Sequence, residues 1–187
     1  LWAYAFWIAV LMGLGALLNV PDAVPGASLR QWVHAWWHEC RSTWKVFLWR
    51  QAFRAKAFVD EIPAPSSTQT PRSGVVLIHG FLCNRAFWTP YVGALKTKGI
   101  PFIALNLEPV FGSIDDYPAL IEQAVQTLTA RTGRPVHLVC HSMGGLAARA
   151  WLQQYEGYDR AGQLVTIGTP HHGTAFSKGT PFANTRQ

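Results

Sequence analysis

Ser142 stands in a run of residues that could present a nucleophile. The run is CHSMGG (140–145), which follows the apolar segment VHLVC and precedes a helix-like segment. A serine on a sharp turn from strand to helix exposes its hydroxyl, which can attack a carbonyl carbon. Because this turn strains the backbone, it needs small residues two positions before and after the serine. Gly144 fills the later position, and Cys140 fills the earlier one, where glycine is usual. In the alternative interpretation, Ser142 only caps the following helix.

A serine nucleophile requires a base that removes its proton and a carboxylate that orients this base. After Ser142 the sequence contains two acids, Glu156 and Asp159, and two histidines, His171 and His172. A helix that begins after Ser142 would carry Glu156 about 20 Å along its axis. We therefore expect neither acid to orient a base beside Ser142.

Other residues could bind a metal, but each has a simpler explanation. His34 and His38 are four positions apart and would share one helix face, yet no third ligand stands near them in the sequence. Asp115 and Asp116 suit the first turn of a helix, where negative charge is favourable. The three cysteines, Cys40, Cys83 and Cys140, are too scattered for a zinc motif or a disulfide scaffold. We expect no metal and no cofactor.

The part of the chain that carries Ser142 alternates between two hydrophobic patterns. Continuous apolar runs predict strands at 75–79, 100–107, 136–140 and 163–168. Helix-like segments separate them at 86–98, 114–132 and 143–155. Continuous apolar strands alternating with helices indicate a parallel sheet with helices on both faces. Pro- and Ser/Thr-rich residues 60–73 predict a linker before this domain, which would cover 74–187.

The N-terminal part has a different composition. Residues 1–20 contain no charged side chain and predict a transmembrane helix; a signal peptide or a buried helix is the alternative. Residues 28–59 predict a basic, Trp-rich amphipathic helix that lies in the membrane interface or packs on the next domain. If the first segment spans a membrane, the excess of Lys and Arg after it would place the residues beyond it on the cytoplasmic side. We expect a location in a membrane, the bacterial inner membrane, with the side undetermined.

The composition excludes two classes of protein. Of 187 residues, 49% are hydrophobic and 14% charged, which excludes a disordered chain. The net charge of +6 invites a nucleic-acid partner. However, residues 1–56 hold six of the 16 Lys and Arg and only two of the ten Asp and Glu. Since the basicity is concentrated in the Trp-rich segment, we expect no nucleic-acid binding.

Three blocks in order, VVLIHGFLCNRAFW, LVCHSMGGLAAR and LVTIGTPHHGT, resemble the α/β-hydrolase superfamily, in particular bacterial triacylglycerol lipases and esterases. The resemblance covers residues 74 to about 176. It implies an α/β-hydrolase fold that this chain shows only up to its fourth strand. It also implies that Ser142 is the nucleophile and that the backbone N–H groups of Phe81 and Met143 form the oxyanion hole. The supporting residues would be His79, Gly80, His141, Gly144 and Gly145.

The resemblance also bears on the missing partners of Ser142. In the family the positions of His171 and His172 belong to a structural loop, and the catalytic His comes after later strands. We therefore expect the base and the acid beyond Gln187. An apolar acyl pocket is implied near the loop 108–118, together with a lipid or small ester as substrate.

The implied activity is cleavage of carboxylic esters through an acyl-enzyme on Ser142. A thioesterase or acyltransferase of the same fold is an alternative, because the fold does not fix the substrate. A non-catalytic, membrane-anchored binding module is a further alternative from a different class.

Overall fold

The computed structural model describes residues 2–18, 26–64 and 72–173. The chain divides into two compact units, Leu1–Ala52 and Phe53–Gln187. Residues 53–59 separate this boundary from the start of the predicted linker.

The first unit is helical. Helix α1 covers Trp2–Leu18 and helix α2 covers Leu29–Thr43, followed by a π-helical stretch, Trp44–Arg50, and the short helix α3, Gln51–Phe53. Helix α2 begins where the side chains of Ser28 and Gln31 cap each other's backbone N–H groups. The amphipathic helix predicted to extend to residue 59 thus ends at Phe53.

The predicted transmembrane helix is not supported. Among the residues that the structure describes, no helix is both long and apolar enough to cross a membrane. Residues 1, 19 and 20 of the predicted span lie outside the described ranges. A membrane partner through this segment is likewise not supported, and the predicted location stays a prediction.

The second unit contains a four-stranded parallel sheet. Its strands are β1 (Val75–Ile78), β2 (Phe102–Ala104), β3 (Val136–His141) and β4 (Ala161–Ile167), in the order β2-β1-β3-β4. Three helices connect them: α4 (Thr89–Thr97), α5 (Pro118–Thr132) and α6 (Met143–Gln154). The predicted alternation of strands and helices is therefore confirmed. Strand β2 is shorter than the predicted run 100–107 because the chain leaves the sheet after Ala104.

Hydrophobic side chains cover both faces of the sheet. Alternate residues of β1 point to opposite faces, as the period of a strand requires. Val76 and Ile78 pack in the cluster that contains α5 and α6 residues such as Trp151. Val75 and Leu77 pack in the second cluster with Trp88 and Val92 of the α4 side. Since fully burying one such side chain contributes about 1.5–3 kcal/mol, these two layers fix the strands that carry the site.

A buried carboxylate ties the connecting helices together. Glu122 of α5 accepts a hydrogen bond from the indole N–H of Trp151 in α6 at 2.8 Å and forms an ion pair with Arg160. Burial by itself would raise the pKa of Glu122, but the bonds from Arg160, Trp151 and Gln126 outweigh it and lower the pKa. The charged form of Glu122 is therefore part of the folded state.

The predicted domain limits stay predictions, but the first residues of the predicted linker have a defined place. Glu61 pairs with Phe102 in an antiparallel bridge on the free edge of β2. Asp60 accepts the backbone N–H of Ala104 at 3.0 Å. Residues 65–71 of the predicted linker lie outside the described ranges.

Candidate active site

Ser142 occupies a strained turn between strand and helix. Strand β3 ends at His141 and helix α6 begins at Met143, which leaves Ser142 alone at the corner. Its φ of 51° lies in a region that L-residues rarely adopt, at a cost of about 1–3 kcal/mol. This backbone is the one expected of a serine presented to substrate at the carboxyl end of a sheet.

Three hydrogen bonds hold this strained residue. The N–H of Ser142 donates to the carbonyl of Ile167 at 2.9 Å. Its own carbonyl accepts the N–H of Gly145 at 3.1 Å and the hydroxyl of Thr169 at 2.9 Å. The loop after β4 thus fixes the turn from the side. Sequence reasoning gave no role to Thr169, which stands in the block LVTIGTPHHGT two positions after β4 ends.

The glycines of the turn are required by contact with backbone and side chains. A Cβ on Gly144 would lie 2.5 Å from the carbonyl oxygen of His79 and 2.7 Å from that of Ile78. A Cβ on Gly145 would overlap the Thr169 side chain. Helix α6 can therefore approach β1 closely only because these positions lack side chains.

Cys140 is tolerated two positions before Ser142 because its side chain points away from the turn. It is fully buried in the cluster with α5 and α6 residues. Burial raises the pKa of its thiol to about 12, so the thiol stays protonated at neutral pH. Cys140 is therefore a small core residue and no second nucleophile.

The loop after β1 lies against Ser142. Ile78 of β1 is paired with Cys140 of β3, which places the residues that follow each strand side by side. A Cβ on Gly80 would lie 2.9 Å from the Cβ of Ser142. We call residues 79–85 the oxyanion loop, since it carries Phe81. Within the described part of the chain, the backbone N–H groups of Phe81 and Met143 have no hydrogen-bond acceptor. Both are thus available to an anionic oxygen.

His79 shapes the oxyanion loop. Its Nε2 accepts the backbone N–H of Leu107 at 3.0 Å, so Nδ1 carries the proton and donates to the carbonyl oxygen of Gly80 at 2.8 Å. In a trans peptide the N–H points opposite to the carbonyl. Because the Gly80 carbonyl is held toward the His79 ring, the N–H of Phe81 points away from that ring.

We expect folding stability to fall as the pH drops below about 6.5. Burial lowers the pKa of His79 from 6.5, and burial also lowers the pKa of His141. Between the ordinary and the lowered values, the unfolded chain binds more protons than the folded one, so stability is lost on acidification. Urea unfolding at pH 7.5, 6.5 and 5.5 measures this loss. In the variant His79→Gln, the free energy of unfolding should depend less steeply on pH, and the remaining dependence should come from His141. If the dependence were as steep as in the wild-type protein, His79 would not be one of its causes.

The other histidines near the turn have different neighbours. The ring of His141 stacks on Phe87 with 4.4 Å between ring centroids. The ring Nε2 of His171 lies 3.2 Å from the hydroxyl of Thr166 in β4. His172 is exposed. Within the described ranges, no hydrogen bond joins these rings to Ser142.

The two acids after Ser142 lie beyond the helix that starts at the turn. Helix α6 has 12 residues and is about 18 Å long, and Glu156 and Asp159 follow its far end. Both are exposed. This placement agrees with the expectation that neither orients a base at Ser142.

An exposed apolar surface adjoins the oxyanion loop. Phe81 and Leu82 are 45% and 56% exposed, and Phe111 in the loop after β2 is 57% exposed. The rings of Phe81 and Phe111 meet edge to face at 5.8 Å. The loop 108–118, where the resemblance implies an acyl site, therefore reaches the oxyanion loop. Its shape is held by the hydroxyl of Tyr117, which donates to the carbonyl of Pro109 at 2.8 Å.

The candidate metal ligands do not form a cluster. The rings of His34 and His38 are 4.3 Å apart, but no group of three or more His, Cys, Asp or Glu within residues 2–18, 26–64 and 72–173 could hold a metal ion. Asp116 accepts the backbone N–H of Ser113 at 2.7 Å and so caps the 3₁₀ turn before α5.

Known proteins share this sequence pattern and fold. Residues 75–186 match the family model described as "Alpha/beta hydrolase family". The chain is 24% identical over 149 residues to Probable lysophospholipase BODYGUARD 2 of Arabidopsis thaliana, an alignment covering 73% of this chain and 31% of that protein.

Solved structures agree. The mature Bacillus licheniformis lipase BlEst2 superposes with a TM-score of 0.52 at 24% identity, covering 64% of this chain and 48% of the lipase. Aspergillus fumigatus lipase B superposes with a TM-score of 0.51 at 21% identity, covering 61% of this chain and 28% of that lipase. The chain thus spans about a third of the plant protein and about half of the bacterial lipase, and at these identities the superpositions show the fold alone. The predicted resemblance is confirmed by the family match over more than half of the chain: the chain belongs to the alpha/beta hydrolase family.

Proposed function

We propose that this protein is a serine hydrolase that cleaves carboxylic esters of lipids, with Ser142 as the nucleophile. The observation that carries the proposal is the placement of Ser142 in a strained turn against Gly80, beside the N–H groups of Phe81 and Met143. Donors that are already in position stabilise a developing oxyanion without reorganisation during the reaction.

The reaction follows from these positions. The Oγ of Ser142 bonds to the ester carbonyl carbon, its proton passes to a base, and the carbonyl oxygen becomes an oxyanion held by the Phe81 and Met143 N–H groups. Collapse of this intermediate breaks the bond to the alcohol, which leaves with a proton from the base. Water then attacks the acyl group on Ser142, which releases the carboxylic acid and restores the hydroxyl.

The base and the acid are proposed to follow Gln187 in the full-length protein. Supporting this, Glu156 and Asp159 lie beyond the far end of α6, and His171 contacts Thr166 instead of Ser142. The fold places a serine, an acid and a histidine in that chain order. Assays of this proposal therefore use the full-length protein.

The substrate is proposed to carry an apolar acyl chain. The exposed side chains of Phe81, Leu82 and Phe111 form an apolar surface next to the site of attack. Large exposed apolar patches mark binding sites for ligands or partners. The relatives are named as a lysophospholipase and lipases, which supports a lipid ester for this protein too.

A fluorophosphonate is expected to label the full-length protein covalently at Ser142. The phosphorus centre accepts the activated Oγ, loses fluoride and leaves a tetrahedral adduct whose oxygen occupies the oxyanion hole. Peptide mass spectrometry after digestion locates the label. A label on another residue of active protein would contradict the proposal, and the absence of any label would favour a non-catalytic binding module. Comparison of oxygen esters with thioesters then separates an esterase from a thioesterase.

A further inference from the structure

The oxyanion loop is anchored at its second end by Arg85. The backbone N–H of Arg85 donates to the side-chain carbonyl of Asn106 at 2.8 Å. Its guanidinium forms an ion pair with Asp60 and lies over the ring of Phe58, 4.7 Å from the centroid. The Arg85 and Asp60 side chains are 21% and 23% exposed, so the pair is shielded from most of the solvent.

Asp60 belongs to a segment upstream of the sheet and outside residues 75–186, which match the family. The neighbouring Glu61 exchanges two backbone hydrogen bonds with Phe102 of β2, at 2.9 and 3.0 Å. The oxygen of Asp60 that faces Arg85 also accepts the N–H of Ala104 in β2 at 3.0 Å. One carboxylate oxygen therefore joins the edge of the sheet to the end of the oxyanion loop.

The tip of the oxyanion loop has few other constraints. Leu82 has a φ of 55° and is 56% exposed, and Phe81 is 45% exposed. Burial of these two side chains therefore does little to hold the tip in place. Inside the loop, Cys83 is buried and its N–H donates to the carbonyl of Gly80 at 3.2 Å. The ends of the loop are held by His79 on the β1 side and by Arg85 on the other.

We propose that Asp60 is a positioning residue for catalysis: through Arg85 it fixes the oxyanion loop and thereby the Phe81 N–H beside Ser142. The proposal rests on the proposed function of Ser142 as the nucleophile. Asp60 touches no reacting atom and acts only through the loop. Since misplacing a catalytic group by about 1 Å can cost about 100-fold in rate, loosening this anchor should slow the attack of Ser142.

The test compares Asp60→Asn with Glu61→Gln in the full-length protein. Asparagine keeps the size of Asp60 and an oxygen for the Ala104 N–H, but it removes the charge that holds Arg85. Glu61→Gln is the matched control, because the Glu61 side chain is 55% exposed and pairs with the exposed Lys96 at 3.8 Å. The readouts are the second-order rate of fluorophosphonate labelling at Ser142 and the values of kcat and KM for a lipid-like ester, at a temperature where every variant is folded.

We expect Asp60→Asn to lower the labelling rate and kcat about 10- to 100-fold with little change in KM, and Glu61→Gln to change neither. Arg85→Lys serves as a second variant if Asp60→Asn does not fold; it keeps the charge, loses the planar fork, and should lower both rates as well. A folded Asp60→Asn variant that is less stable but is labelled at the wild-type rate would overturn the proposal, because Asp60 would then be structural only.

Hydrogen exchange separates this proposal from the proposed function. The N–H groups of Cys83 and Arg85 are hydrogen-bonded in the wild-type loop. Mass spectrometry of peptides covering residues 79–85 should show faster exchange in Asp60→Asn and no change in Glu61→Gln. If the wild-type protein is not labelled at Ser142, the proposed function fails, and unchanged exchange in Asp60→Asn overturns the anchoring itself.

Discussion

Replacement of Ser142 by alanine is expected to lower ester hydrolysis by the full-length protein about 10⁴-fold or more, to near background. Alanine removes the Oγ that forms the acyl-enzyme, and the remaining oxyanion donors cannot act on a bond that no longer forms. The fold should persist, because the strained backbone of Ser142 is held by its N–H and carbonyl, which alanine retains. The measurement is the initial rate on a nitrophenyl ester, with thermal unfolding as a check of the fold.

The matched control for this substitution is Ser42→Ala. Ser42 is an exposed serine in helix α2 of the first unit, and its loss should leave both hydrolysis and stability unchanged. If Ser142→Ala kept a rate within ten-fold of the wild-type protein, Ser142 would not be the nucleophile. A loss of activity accompanied by unfolding would instead assign Ser142 to the fold.

The sheet could be predicted because its strands carry a strong local signal. The run VVLI is apolar and buried at all four positions, which is the pattern of a strand covered by helices on both sides, and VHLVCH buries every second residue. The turn at Ser142 also has a local signal in the sequence, because Gly144 stands two positions after the serine at the end of an apolar run. The contact that makes this glycine necessary is long-range, since it is with the end of β1.

The Asp60–Arg85 pair could not be predicted, because its partners are 25 positions apart and the block that contains Arg85 gives no signal for Asp60. The same holds for the bond from Thr169 to the carbonyl of Ser142. Contacts of this kind are set by the packing of whole elements, and nothing in the local pattern specifies them. The predicted transmembrane helix also finds no support among the residues that the structure describes.

The turn at Ser142 is therefore a point where several long-range contacts converge. The loop after β4 fixes its backbone through Ile167 and Thr169, and the oxyanion loop contacts it through Gly80. A residue strained by about 1–3 kcal/mol persists only when surrounding contacts determine its position. Interference with the close approach of β1 and α6 should thus affect the fold and the nucleophile together.

Gly144→Ala is expected to destabilise the protein by about 3 kcal/mol or more and to abolish labelling at Ser142. The new Cβ would lie 2.5 and 2.7 Å from two backbone carbonyl oxygens at the end of β1, which cannot move without breaking the sheet. Helix propensity alone would favour alanine at this position by about 1 kcal/mol, so the expected loss of stability comes entirely from the steric overlap. Urea unfolding measures the stability, and the rate of fluorophosphonate labelling shows whether the turn still presents the Ser142 hydroxyl.

Gly93→Ala provides a control with the same chemical change and the opposite expected sign. Gly93 lies inside helix α4, and a Cβ there would meet no atom within 4 Å. Alanine should stabilise this helix by about 0.5–1 kcal/mol, because it restricts the unfolded chain and raises helix propensity. The labelling rate at Ser142 should not change. Both variants could instead shift stability in the same direction by similar amounts. The overlap of a Cβ with those carbonyl oxygens would then not be the reason for a glycine two positions after the nucleophile, and the contact of Gly144 with the end of β1 would not control the turn.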